Sequence, residues 1–95
     1  MIALAEVIDL VEAALDNATR AAGTYAEDPS GFHQRHRTQM EALAKRLTAQ
    51  FGARCNDRWD GARVRLHGIT STSTTGIAGA LRNWLRAAKN RAGEL

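Results

Sequence analysis

Residues 60–67 read Asp60-Gly61-Ala62-Arg63-Val64-Arg65-Leu66-His67. Apolar and basic side chains alternate with a period of two. That is the pattern of a strand buried on one face and wet on the other. Asp60-Gly61 is a hairpin turn signal, so Ala53–Trp59 is the expected partner strand. Such a hairpin buries Val64 and Leu66, with Cys55 or Trp59 beside them. Its other face carries Arg63, Arg65 and His67, with Arg54 or Arg58 nearby.

The flanks change period. Leu4, Val7, Ile8, Val11, Leu15 and Ala18 recur at three- and four-residue steps and predict a helix from about Ile2 to Ala22. At 100° per residue, Glu6, Asp9, Glu12 and Asp16 fall on the opposite side. Gly23 is a natural stop. After a loop, Asp28-Pro29 suits a helix start, since Asp accepts from free backbone N–H groups and proline loses nothing at the first position. Phe32, Met40, Leu43, Leu47 and Phe51 form the stripe of this second helix, Glu41 and Lys45 are spaced for a favourable i,i+4 pair, and Gly52 ends it. The two should pack as an antiparallel hairpin. A third helix is expected from about Gly76 to Ala92, with Ile77, Leu81, Trp84, Leu85 and Ala88 on its apolar face and Arg82, Arg86 and Lys89 beside it.

The reading is an α+β fold of order α-α-β-β-α, comprising a helical hairpin, a two-stranded β-hairpin and a C-terminal helix, in one domain over residues 1–95. Trp59, Trp84, Leu81, Val64, Leu43, Leu47 and Val11 are the expected core. A single proline and an apolar share of 44% fit a folded globule. One cysteine excludes an internal disulfide and fits a reducing, cytoplasmic setting. Acids from Glu6 onward exclude a signal peptide, and no uncharged run approaches the ~20 residues of a membrane span. High Ala and Arg with little Lys fits a GC-rich bacterial or phage coding sequence.

Charge is divided along the chain. Residues 1–30 carry six acids against one Arg, a net of −5, while residues 31–95 carry twelve Lys/Arg against four acids, a net of +8. A basic field of that size points to a polyanion or an acidic protein face. Arg54, Arg58, Arg63, Arg65, Arg82, Arg86 and Lys89 are the candidate contacts, because phosphate neutralisation releases counterions. The plainer alternative is a solvated Arg-rich surface. No zinc-finger, homeodomain or RNA-recognition signature accompanies them.

The hydroxyl run Thr70-Ser71-Thr72-Ser73-Thr74-Thr75 leads into Gly76 and a helix start, where an anion would be favoured. No Gly-Lys-Ser/Thr follows, so it is not a P-loop. A polar linker whose last Thr caps the helix, with Gly76 and Gly79 allowing close packing, explains it more simply. His33, His36, Cys55 and His67 are zinc-ligand types, but reliable zinc patterns contain paired cysteines. No strained nucleophile turn is present. The sequence therefore predicts no catalytic residues, no metal and no cofactor.

What it predicts is a small non-enzymatic regulatory protein acting on nucleic acid through the β-hairpin and last helix. The alternative is an inhibitor analogous in type to the small phage-encoded anti-CRISPR proteins. It would bind a larger nucleic-acid-handling complex and block its nucleic-acid site, with Glu6, Asp9, Glu12 and Asp16 as a second candidate face. That acidic face could also meet the basic face of another copy in a homodimer.

Overall fold

The alternating stretch is a strand, but it has a neighbour on each side. The computed structural model describes residues 3–24, 26 and 29–93. Its elements are α1 (Leu4–Ala22), α2 (Pro29–Phe51), β1 (Arg54–Arg58), β2 (Gly61–Leu66), β3 (Ile69–Ser73) and α3 (Ile77–Gly93). The strands form an antiparallel sheet in the order β1-β2-β3. The α+β class holds, and the expected two-stranded hairpin becomes a three-stranded meander.

The added strand is the first four residues of the hydroxyl run together with Ile69. Thr is β-branched and suits a pleated surface. Leu66 pairs with Ile69 across a turn made of His67 and Gly68 alone. Both turn residues have positive φ, 54° and 77°, which is the geometry that matches the twist of two antiparallel strands. His67 therefore belongs to a turn and not to the strand's basic face. The first turn also shifts by one residue. Arg58 pairs with Gly61, so Trp59 and Asp60 form the turn and Gly61 opens β2. Gly61 has φ 146°, and a Cβ there would meet the Ser73 carbonyl oxygen at 3.1 Å. Glycine is required on both counts.

From Val7 onward the α1 stripe is buried as expected, whereas on α2 Phe51 is only half-buried and Phe32 lies outside the core beside the His33 and His36 rings. Val7, Ile8, Val11, Leu15, Ala18 and Ala22 are buried along α1, and Met40, Leu43 and Leu47 along α2. Leu10 and Ala14 of α1 share a depression with Arg46, Leu47, Gln50 and Phe51 of α2, whereas Ala21 shares one with Gly31, Gln34 and Arg35. The two helices are thus antiparallel, and the Arg35 Nε donates to the Ala22 carbonyl at 2.8 Å to tie their adjoining ends. The cap expected of Asp28, like the first residue of the expected helix, Ile2, lies outside the described residues. At the other end of α2 the Gly52 N–H bonds the Thr48 carbonyl at 3.0 Å and stops the helix.

The third helix is the centre of the molecule. It lies on the core face of the sheet, where Ala62, Val64, Leu66 and Ile69 are buried, and α1 lies against it as well. Trp84 is fully buried, and its Nε1–H donates to the Leu66 carbonyl at 3.0 Å. Ala78, Gly79, Ala80 and Ala88 keep the helix slim enough for this double contact. Gly79 is the tightest point. A Cβ there would lie 1.9 Å from Thr75 Oγ1 and 2.4 Å from Ser73 Oγ, two hydroxyls that hydrogen-bond each other at 2.7 Å.

Trp59 corrects the expected core. Its side chain is 98% exposed, because a two-residue turn at the end of a sheet has nothing above it to pack against. The other six expected core residues are buried.

Two stability outcomes follow from the α3 contacts. Trp84→Phe loses the indole donor and some volume, and is expected to cost about 1–3 kcal/mol, read from the urea midpoint at constant m-value. Gly→Ala inside a helix ordinarily gains about 1 kcal/mol. At Gly79 overpacking of about 1–3 kcal/mol opposes that gain. Gly79→Ala should therefore be neutral or destabilising, with Ser73→Ala restoring part of the loss. The full ordinary gain would contradict the close approach.

Candidate nucleic-acid interface

Register decides which arginines share a face. On β2, Ala62, Val64 and Leu66 are buried while Arg63 and Arg65 are exposed on the other side. Arg65 stands opposite Arg54 on β1 and Thr70 on β3, and Arg63 stands opposite Asn56 and Thr72. Arg58, two further along β1 from Asn56, completes the face. The outer face of the sheet therefore presents Arg54, Arg58, Arg63 and Arg65 among Asn56, Thr70 and Thr72, all exposed. The single acid within the three strands, Asp57, pairs with Ala62 and so falls on the opposite face.

Arg54 and Arg65 are directly opposed like charges, an arrangement that destabilises a sheet. Among the described residues no carboxylate forms an ion pair with any of the four arginines. At the turn end of the sheet the face runs into an open groove lined by Asn56, Arg58, Asp60, Arg63, Thr72, Thr74 and Asn83. The Asn83 side chain donates to the Thr72 carbonyl at 2.8 Å, occupying an acceptor on the β3 edge.

The helix cations are elsewhere. Arg82, Arg86 and Lys89 are exposed on α3, which covers the face of the sheet opposite to the arginines. The basic residues thus belong to opposite layers, although Asn83 of α3 reaches the groove that Arg58 and Arg63 line. Lys89 is engaged with Glu12 of α1 through a direct ion pair. The acidic face of α1 is likewise partly spent: Asp16 pairs with Arg20 at 3.0 Å, and Glu6 and Asp9 remain exposed without such a pair.

No protein family matches this chain, and no curated protein or solved structure matches it either.

The hydroxyl run does not form a phosphate cradle. Thr70–Ser73 is strand, the Thr75 N–H donates to Ser73 Oγ at 3.0 Å, and Gly79 is filled from above by the Ser73 and Thr75 hydroxyls. His33, His36 and Cys55 do come together, lining one groove between α2, β1 and the start of α3 with Arg37, Glu41, Lys45 and Asp57. His67, in the β2–β3 turn, is not among the residues lining that groove. Among the described residues no group of three or more His, Cys, Asp or Glu side chains is placed to hold a metal ion. Nor, among them, is any helix long and apolar enough to cross a membrane.

Two features of this region were beyond sequence reasoning. The groove joins residues far apart in the chain, and the Glu12–Lys89 pair spans 77 positions. The exposure of Trp59 was in principle legible, since a residue directly before Asp-Gly sits at a turn.

Cys55 faces the core side of the sheet, opposite Val64, and is partly buried. Burial pushes its thiol above the ordinary range. Because the folded thiol keeps its proton to higher pH than the unfolded one, its contribution to stability is complete below the ordinary thiol range. It is lost as pH rises through the folded value. Alkylation by iodoacetamide at neutral pH should be several-fold slower in the native protein than in denaturant. Equal rates would mean an open, unperturbed thiol.

Proposed function

We propose that this protein binds nucleic acid through the outer face of its sheet, as a small non-enzymatic regulatory protein of the bacterial or phage cytoplasm. The observation that carries the reading is an acid-free sheet face bearing four arginines, two of them directly opposed, with no ion pair to any of them among the described residues. Folding gains nothing from that arrangement and pays in repulsion. A polyanion laid across the face removes the repulsion and releases its own counterions. Asn56, Thr70 and Thr72 stand between the arginines and supply neutral hydrogen-bonding groups for phosphate and sugar.

The α3 cations support the reading less well, because α3 packs on the other side of the sheet and Lys89 already has a partner. The second reading, an inhibitor that occupies a nucleic-acid site on a larger complex, draws on the acidic α1 face. Its support is weaker, since Glu12 and Asp16 are paired within the chain.

Binding to a labelled oligonucleotide should weaken steeply with salt. Each phosphate contact contributes about 0.7–0.9 to the slope of log K against log salt. Arg63→Ala with Arg65→Ala should lower that slope by between about 1 and 2 and weaken binding at every salt concentration. Arg82→Ala with Arg86→Ala should leave both nearly unchanged. The reading fails if no salt-sensitive binding is seen at low ionic strength, or if the helix pair matters as much as the sheet pair.

A further inference from the structure

Trp59 is the largest side chain that the fold leaves uncovered, at 98% exposure. It sits in a two-residue turn whose flanking residues, Arg58 and Gly61, are paired across the strands. A turn this short fixes the backbone on both sides of the indole, so the ring is always presented at the same end of the sheet. The neighbouring groove carries Arg58, Arg63, Asn56 and Thr72 toward the same end of the sheet. A groove with two arginines and one acid, Asp60, thus ends at an exposed aromatic.

We infer that the nucleic acid bound here is single-stranded, and that Trp59 stacks on one of its bases. The inference rests on the sheet-face reading above and adds the substrate class to it. In a duplex the faces of the bases are covered by their neighbours, and an indole outside the helix has no ring to meet. In a single strand every base offers a π-face, and stacking on an aromatic beside a basic groove is how such strands are held without regard to sequence. Local charge agrees. Asp60, adjacent to Trp59, makes the turn itself a poor place for a phosphate, while the arginines further along the sheet are good ones. The strand would lie with its backbone over the arginines and a base over the turn.

The shape of the face argues in the same direction. On β3 the Thr72 carbonyl is already taken by Asn83, so that edge is blocked at one acceptor to an added strand. The face itself shows arginine, threonine and asparagine, with no apolar side chain on its strands to anchor a protein partner.

The two tryptophans make the test direct. Trp84 is fully buried and Trp59 almost fully exposed, so a change in solvent-exposed indole emission on titration reports Trp59. The probes are oligo(dT), an abasic deoxyribose-phosphate chain of the same length, and a mixed-sequence duplex, at one salt concentration. Oligo(dT) should quench the emission with saturation and bind more tightly than either other probe. Trp59→Ala, which alters an exposed turn and leaves the core intact, should weaken oligo(dT) binding by about 5-fold to 100-fold. It should leave the abasic chain and the duplex unchanged, and Trp59→Phe should recover most of the loss. Duplex bound as tightly as oligo(dT), or an equal effect of Trp59→Ala on all three probes, overturns the single-strand inference while the nucleic-acid reading stands. If none of the probes binds even at low salt, both fall.

Discussion

The architecture depends on the burial of one helix from two sides. The α3 helix must lie against the sheet and receive α1 as well, and its small residues at positions 78–80 and 88 are what make room. Trp84 fixes the arrangement. An indole buried completely would leave its N–H unpaired at substantial cost, and the Leu66 carbonyl at 3.0 Å meets that need. The bond specifies which end of β2 lies over the middle of α3. Gly79, under the Ser73 and Thr75 hydroxyls, fixes the approach of β3 in the same way. Hydrophobic area alone would accept many registers, whereas one directed bond and one close contact accept few.

A sheet covered on one side by such a helix is free on the other. Nothing in the packing dictates what the free face carries, provided it is polar. Ordinary selection for solubility would mix signs there, since opposite charges across strands are favourable and like charges are not. The face instead has arginine opposite arginine and no acid on its strands. The three-stranded sheet widens this face beyond what a lone hairpin would offer. The strand that widens it, β3, adds threonines without adding charge.

The parts of this structure that the sequence makes legible are the ones whose signal is local. Ala62, Val64 and Leu66 alternate with arginines, and the α1 stripe repeats every three to four residues, so both appear as soon as period is examined. β3 hides because its two faces carry nearly the same chemistry. Thr70 and Thr72 face outward and Ser71 and Ser73 inward, so no alternation of polarity marks the strand. The turn before it was equally quiet, since His67 takes a left-handed conformation that Asn or Asp would have advertised. Trp59 misleads in the opposite way. Its hydrophobicity argues for the core, and only its place in a tight turn overrules that. The arginines of the site were identifiable by type, but their division between two layers required knowing that α3 covers the opposite side of β2.

The charge asymmetry takes its meaning from the same layering. Along one direction the molecule runs from the acidic side of α1, through its apolar stripe, to α3, to the core face of the sheet, and out to the arginines. Glu12 and Lys89 cancel each other where α1 meets α3, which leaves Glu6 and Asp9 toward one side, Arg82 and Arg86 exposed on α3, and the sheet arginines at the other. Such a molecule has a dipole as well as a net charge of +3. A polyanion attracts its arginine side and repels its α1 side, so encounters are oriented before contact. An evenly basic protein of the same net charge would meet the same polyanion in any orientation, and only a fraction of those encounters would bring the sheet face forward. On the proposed reading, the acids of α1 would thus orient a polyanion toward a surface they never touch.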